Sequence, residues 1–178
     1  MSIVNTLSLE SNRQIKINFD GGDLSSDAGF LLIKEFVSKI GIDRLFSHSF
    51  KTNDSASFRY HTDKDNLLQM IYMIIAGYFE DDASDELTND PVFKAVLDKE
   101  ALASQPTISR FHNLMDEDSL NQFLSISRVL RKKIYSIQMP EAVILDLDST
   151  LLDAYDSQEG RAFNFHYQSN GYHPLVCY

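Results

Sequence analysis

The ten-residue stretch VILDLDSTLL, at 143–152, constrains the fold of this chain most. Residues 143–148 alternate with the two-residue period of a β-strand, which predicts that Asp146 and Asp148 share one face. Side chains two apart on a strand lie roughly 7 Å from each other, so these carboxylates could hold a hard cation. Unpaired carboxylates would be costly in so apolar a strand. The metal-free alternative is that both are solvated beyond the strand, or that one caps the turn begun by Ser149 and Thr150.

Length and charge restrict the class of protein. The 178 residues suffice for one sizeable core or two small domains. The formal net charge of −10 argues against coating nucleic acid by bulk electrostatics, although local basic patches remain available. The single cysteine, Cys177, and the lack of a secretory signal favour a cytoplasmic location. The longest apolar run, 67–79, is too short to span a bilayer.

Before the stretch at 143–152, most of the chain is predicted to be helical. A strand at 13–19 precedes a helix that Asp23 or Ser25 caps and that ends at Ile40, before Gly41. Residues 64–79 form the most apolar helix, with apolar side chains almost all round it.

Two polar segments admit competing interpretations. The first is the loop at 51–63, where Arg59, Tyr60 and His61 either contact a phosphate or belong to a solvated linker, the interpretation we favour. The second is the acidic run at 80–90, where Ser84 or Asp85 caps a short helix and the other carboxylates are solvated. A calcium loop is disfavoured there because the glycine and the ligand order are lacking.

Two short helices with a tight connection resemble a helix-turn-helix in outline. Pro91 starts the first helix, which runs through Leu97, and the second spans 104–115 with Ser104 as its cap and Pro106 in its first turn. The polar side chains of the second helix are either ordinary surface or DNA-reading groups. They are Gln105, Thr107, Ser109, Arg110, His112 and Asn113.

A long amphipathic helix is predicted over 117–137. Its predicted buried side consists of Leu120, Phe123, Leu124, Ser127, Leu130, Ile134 and Ile137. Its basic cluster either is a solvated face that complements the helix dipole or supplies phosphate contacts. The cluster consists of Arg128, Arg131, Lys132 and Lys133.

Strand patterns follow the stretch at 143–152. A polar turn near 156–160 precedes an alternating segment at 162–168, and Asn170 and Gly171 predict a hairpin turn before the next strand. Three antiparallel strands are therefore expected. Because the last residues, LVCY, are apolar and begin a strand, we expect a truncated chain.

Several of these segments together resemble the insertion-sequence 1380 family of transposases, within the group 1 DDE transposases. The resemblance covers nearly the whole chain. It rests on FDGGDLSSDAGFLLIKEF at 19–36, the segment from Gly77 through DDASDELTNDPVF, LASQPTISRFHN at 102–113, VILDLDST at 143–150 and the terminal GYHPL.

The resemblance implies an α+β protein in which a helical N-terminal domain precedes the first strands of a truncated ribonuclease H-like catalytic domain. The expected divisions are an N-terminal strand and turn at 1–22, a helical domain at 23–139 and the incomplete catalytic domain at 140–178. In that family three carboxylates hold two Mg²⁺ or Mn²⁺ ions for phosphoryl displacement on DNA. The first is Asp148 or Asp146, and we prefer Asp148 because it stands at the strand end before Ser149.

The other two catalytic carboxylates of the family would lie downstream, so this portion is expected to be inactive alone. The implied partners are DNA with transposon-end inverted repeats and, at full length, further copies of the same protein; no membrane is expected. The predicted DNA contacts are Gln105, Thr107, Ser109, Arg110, Asn113, Arg128, Arg131, Lys132 and Lys133.

Two alternatives remain open. A non-catalytic remnant would bind transposon ends, or the full transposase, without cutting. Residues 144–151 also resemble the first motif of haloacid dehalogenase-like phosphatases, in which Asp146 would attack phosphorus and Asp148 would be the general acid and base, with magnesium between them. The antiparallel strands predicted downstream argue against that family, whose motif opens a parallel sheet.

Overall fold

A computed structural model describes residues 6–20, 27–56 and 58–177, and the chain divides into two compact units, 1–136 and 137–178. Unit 1 contains a small antiparallel sheet of β1 (Thr6–Ser8) and β2 (Lys16–Asn18), followed by helices. These are α1 (Phe30–Ile40), α2 (Ile42–Ser49), α3 (Asp63–Ala76), α4 (Ala83–Leu87), α5 (Pro91–Leu97), α6 (Gln105–Asn113) and α7 (Glu117–Ile137).

The N-terminal strands belong to the core of unit 1. Leu9 is fully buried, and Ile15 and Ile17 pack against the same core as the helices. The carboxylate of Glu35 in α1 accepts hydrogen bonds from the backbone N–H groups of Glu10 and Ser11, at 3.0 and 2.8 Å. The helix therefore fixes the connection between the two strands.

Gly41 ends α1 as predicted. It adopts the left-handed conformation, with φ of 71°, and its N–H donates to the carbonyls of Ser38 and Val37. The predicted helix caps Asp23 and Ser25 lie outside the described residues, and α1 begins at Phe30. Helix α2, which starts directly after Gly41, was not predicted because the glycine indicated only an end.

Helix α3 lies at the centre of unit 1. Leu67, Leu68, Tyr72 and Met73 are buried, but the last turns are less so than the sequence predicted. The helix ends at Ala76 before Gly77, whose φ is 90°, and Ile74 is 53% exposed. The apolar run therefore continues past the helix into an exposed segment.

Two of the predicted helix starts had different outcomes. Pro91 opens α5 as expected, and Asp90 caps it by accepting from the N–H groups of Val92 and Phe93, at 2.9 and 2.8 Å. The predicted caps of α4 were wrong. Ser84 and Asp85 lie inside α4, and Ser84 is fully buried against the core, where its hydroxyl contacts the sulfur of Met73.

Helix α7 has the predicted bounds, but its buried side is rotated. Ser119 and Ile126 are buried, Phe123 and Leu130 are half-buried, and much of the predicted buried stripe is exposed. The exposed members are Leu120, Leu124, Ser127, Ile134 and Ile137. In the first turn the Asp116 carboxylate accepts from the N–H of Ser119 at 2.9 Å, and the Ser119 side chain is buried.

Unit 2 is built from short antiparallel strands. They are β3 (Leu147–Ser149), β4 (Leu152–Asp153), β5 (Ala162–Asn164), β6 (Ser169–Tyr172) and β7 (Leu175–Cys177). Strand β3 pairs with β7, and β6 lies between β4 and β5. The antiparallel arrangement agrees with the sequence, although β3 is shorter than the predicted strand at 143–148.

The hairpin turn lies earlier than predicted. Asn170 and Gly171 are inside β6, and the chain turns at 165–168 instead. The side-chain oxygen of Asn164 accepts from the N–H groups of His166 and Tyr167, at 2.8 and 3.3 Å, which starts that turn. Gly171 is needed for another reason, because a Cβ atom there would lie 2.3 Å from the carbonyl oxygen of Leu152.

No helix in the described parts of the chain combines the length and the apolar character that crossing a membrane would require.

Candidate catalytic aspartates and DNA-contact residues

Asp148 lies in the middle of β3, and Asp146 is the residue directly before that strand. Asp148 stands opposite Val176 in the antiparallel ladder, so the strand fixes the face on which it lies. Asp146 lies in the irregular segment before the strand. The sequence alternation predicted that Asp146 and Asp148 share one face of a strand. Regular strand pairing fixes the face of Asp148 only.

Both aspartates are exposed within unit 2. Their apolar neighbours are exposed as well, with Ile144 at 87%, Leu145 at 70% and Leu147 at 62%. The cost of burying unpaired carboxylates, which supported a cation between them, therefore does not arise in this unit. Solvation alone accounts for two charged side chains here.

A hydrogen-bonded aromatic group supports the end of β3. The hydroxyl of Tyr167 donates to the carbonyl oxygen of Ser149 at 2.6 Å and lies 2.8 Å from its side-chain oxygen. The Tyr167 ring stacks on His173 at 5.9 Å between centroids and 7° between planes. Tyr167 was predicted only as part of an alternating strand, and its role depends on the turn at 165–168.

The resemblance implies divalent cations, for which the two aspartates would be only part of a donor set. Among the described residues, no group of three or more His, Cys, Asp or Glu side chains could hold a metal ion. Asp153 lies on β4, but its carboxylate accepts a hydrogen bond from Ser169 at 2.6 Å. The described residues therefore do not complete a two-metal centre.

Helix α6 presents polar side chains from a buried base. Ile108 and Phe111 are buried, Arg110, His112 and Asn113 are exposed, and the predicted contacts Gln105, Thr107 and Ser109 are half-buried. Gln69, buried in α3, holds the segment before the helix through two 2.8 Å hydrogen bonds with the peptide groups of Ala103.

The neighbours of α6 differ from those of a helix-turn-helix. The connection from α5 spans residues 98–104, longer than the three to four residues of that motif. At the other side, the N–H of Gln105 donates to Asp85 at 2.9 Å, and His112 lies 3.5 Å from Asp81. Asp81, which precedes α4, and Asp85 within it thus border one edge of α6.

The basic cluster on α7 divides into two parts. Arg128, Arg131 and Lys132 are exposed along the helix. The ammonium group of Lys133 donates to the carbonyl oxygen of Ile40 at 2.6 Å, at the C-terminal end of α1. Lys133 therefore joins two helices, a role that the sequence did not indicate because the partner lies 93 residues away.

The loop at 51–62 is tied to α3 by ion pairs. Arg59 lies 3.3 Å from Asp54 and 2.5 Å from Asp63, and Asp63 also accepts from the N–H and hydroxyl of Thr52, at 2.8 and 3.0 Å. Asp63 is 6% exposed and Thr52 is 3% exposed. For Arg59 the favoured interpretation of a solvated linker was therefore wrong, whereas Tyr60 is 50% exposed.

His61 follows in the same loop. Burial lowers its pKa, the positive charge of Lys99 lowers it further, and Asp65 opposes the shift. The imidazole is thus neutral at neutral pH and adds no charge for a phosphate. Of the three predicted phosphate contacts, Arg59 is already paired with two carboxylates, and Tyr60 and His61 contribute aromatic rings.

A family model described as transposase DDE domain group 1 matches residues 7–178. No curated protein and no solved structure matches the chain.

Proposed function

The chain belongs to the family of group 1 transposase DDE domains, and from this premise we propose that it serves an enzyme that cuts and joins transposon DNA ends. The match over residues 7–178 carries the proposal. It spans both units, so the family assignment applies to each of them. The finer assignment to the insertion-sequence 1380 family rests on the motifs quoted above.

Asp148 is the first catalytic carboxylate in this proposal, with Asp146 as the alternative. Its place on β3 supports this choice, because the ladder with β7 and the contact of Tyr167 with Ser149 fix the backbone around it. DDE transposases use divalent metal ions, and Asp148 and Asp146 are the residues here that would contribute carboxylate oxygens to Mg²⁺ or Mn²⁺. Further carboxylates would have to complete the centre, which supports the proposal that this chain is one portion of the enzyme.

Unit 1 is the proposed DNA-binding part. The supporting observation is the exposed edge of α6, where Arg110 and Asn113 project from a helix held by Gln69. Arg128, Arg131 and Lys132 on α7 add exposed cations. Because the chain has a net charge of −10, binding depends on these local groups and should weaken steeply with salt.

Binding of a duplex that carries the inverted repeat of the element tests this proposal. We expect the 178-residue chain to prefer that duplex over a shuffled one of equal length in fluorescence anisotropy. Arg110→Ala should weaken binding about tenfold. Arg13→Ala, in the connection between β1 and β2, removes the same charge elsewhere and should change little. Equal affinity of both variants and no preference between duplexes would contradict the proposal.

Binding without cleavage is a second candidate function. The described residues favour it, because they include two candidate carboxylates but no group of three or more His, Cys, Asp or Glu side chains that could hold a metal ion. The phosphatase alternative gains no such support, since antiparallel strands follow β3 where that family has a helix and a parallel sheet. Assembly into homo-oligomers and the cytoplasmic location stay predictions.

A further inference from the structure

A groove of about 570 Å³ lies in unit 1 between the loop at 54–61 and helix α6. Its volume is within the range of small-molecule sites, roughly 300–1,000 Å³. The groups that matter for recognition are Asp54, Tyr60, His61, Asn66, Arg110 and Asn113. The predicted DNA contacts of α6 and the aromatic residues of the loop therefore face a common space.

The loop wall of the groove is held in place. Arg59 connects Asp54 to Asp63, and the ammonium group of Lys99 donates to the carbonyl oxygen of Tyr60 at 2.9 Å. The same ammonium group lies 5.0 Å from the centroid of the Tyr60 ring. Lys99 therefore packs against the Tyr60 ring, and the His61 ring lies edge-on to it at 4.7 Å between centroids. A planar ligand would stack on the part of Tyr60 that stays exposed.

The charge of the groove does not suit a run of phosphates. Two carboxylates compensate Arg59, and the pKa of His61 is lowered, so the ring is neutral. Arg110 donates to the hydroxyl of Thr107 at 3.2 Å and remains exposed to an incoming anion. These groups match a ligand with a single negative charge.

The polar groups of the groove match the edge of a planar heterocycle. Asn66 is 4% exposed, and its side-chain oxygen has no hydrogen-bond partner in the described part of the chain. Asn113 adds an exposed amide, and Tyr60 is 50% exposed. A buried amide oxygen without a partner favours a ligand that brings an N–H group.

We propose that this groove binds one unpaired nucleotide of a DNA strand, with the base stacked on Tyr60, its polar edge towards Asn66 and Asn113, and its phosphate at Arg110. The inference rests on the proposed function, because it takes DNA as the ligand. It extends that function by assigning unit 1 a site for single-stranded DNA besides its duplex contacts. Aromatic stacking of this kind accepts any base.

Anisotropy with a fluorescent eight-nucleotide single strand tests the proposal on the 178-residue chain. Tyr60→Leu should weaken binding of the single strand about 5- to 100-fold, as expected for the loss of one aromatic stack. Binding of the inverted-repeat duplex should change less than about twofold, since the duplex keeps Arg110 and α7. Phe58→Leu is the matched control, because Phe58 is 84% exposed and lies outside the groove lining.

A second measurement does not depend on a variant that folds. A single strand carrying 4-thiothymidine should crosslink on irradiation to residues 59–61 or to Arg110 or Asn113 of α6 in the wild-type chain. Crosslinks confined to other segments, or equal affinities of the Tyr60 and Phe58 variants for the single strand, would overturn the groove proposal while duplex binding still stands. If the wild-type chain binds neither the single strand nor the duplex, the proposed function is overturned as well.

Discussion

Lys34 is a single side chain that joins two elements of unit 1. It is 6% exposed, and its ammonium group donates to the carbonyls of Ala95 and Val96, both at 2.9 Å, at the C-terminal end of α5. It also lies 2.6 Å from Asp98, whose carboxylate is 60% exposed. The two buried carbonyl contacts, more than the exposed ion pair, make Lys34 important for stability.

Lys34→Met is therefore expected to lower the free energy of unfolding by about 1–3 kcal/mol, because both carbonyls lose their partner. Urea unfolding followed by circular dichroism measures the change. Lys39→Met is the matched control, since Lys39 is 64% exposed and lies 3.8 Å from Glu10, and it should stay within about 0.5 kcal/mol. Equal destabilisation by the two variants would show that the contacts of Lys34 add nothing.

Asp65 makes stability depend on acid pH. Burial raises its pKa, but hydrogen bonds from Lys99 and Thr62 outweigh burial and hold the pKa below its ordinary value of 3.8. Because the folded state binds this proton less readily than the unfolded state, the contribution is present above pH 3.8. It is lost as the pH falls through the lowered folded value.

The advantage of the wild type over Asp65→Asn in the free energy of unfolding should therefore shrink as the pH falls below 3.8. Urea unfolding at a series of pH values measures it. Lys99→Met should show a smaller acid loss than the wild type, since the ammonium group that lowers the pKa is gone. A wild-type advantage that stays constant over the whole acid range would contradict the assignment.

Residues whose partners are local were predictable, and those with distant partners were not. Gly41 and Pro91 act within one turn of their own helix, and both behave as predicted. Lys34 contacts residues 61 and 62 positions away, and Lys133 one 93 positions away. Sequence spacing carries no information about such contacts.

At the scale of elements, periodic helices were predicted better than turns. Helix α7 has the predicted bounds because its 21 residues repeat a helical pattern over many turns. Its exposed face was not predictable, since the helical period does not by itself say which side of the helix meets the core. In unit 2, Asn164 decides where the chain turns, although Asn170 and Gly171 carry the stronger local hairpin pattern.

Gly171 lies in β6 and stands opposite Asp153 of β4 and Ala162 of β5. We expect Gly171→Ala to separate β4 from β6, because the added Cβ atom would collide with the backbone of Leu152. The N–H of Ala154, which donates to Asn170 at 3.1 Å, should then exchange hydrogen about tenfold faster. Asn170→Ala in the same strand should leave that exchange nearly unchanged. Protection of Ala154 in the Gly171 variant at the wild-type level would refute this role.

At the scale of the whole molecule, the two units differ in how much core they have. Unit 1 has a contiguous core that runs from Leu9 to Ile126. In unit 2, Ala154 and Gly171 are the buried residues in the described part of the chain, and the apolar segment around Asp146 is exposed. Small sheets without a covered face are marginally stable. This supports the proposal that the strands of unit 2 belong to a larger catalytic domain.

The functional assignment places different chemistry on the two units. Unit 1 would bind DNA through α6, and unit 2 would bring the first catalytic carboxylate on β3. The motif order along the sequence indicated a group 1 DDE transposase, and the family model agrees at that level over residues 7–178. The groove beside α6 was not predictable, because it combines a loop and a helix separated by about fifty residues of sequence and depends on the ion pairs of Arg59.

Strand cleavage tests the central claim most directly. The protein expressed from the complete reading frame that encodes these residues would be incubated with Mg²⁺ and a duplex that ends in the inverted repeat, and the cleaved strands would be quantified. Asp148→Asn should lower cleavage at least about a hundredfold while duplex binding is retained, and Asp146→Asn should lower it less. Asp156→Asn, in the exposed turn after β4, should cleave like the wild type. Cleavage by the Asp148 variant at the rate of the Asp156 variant would contradict the account.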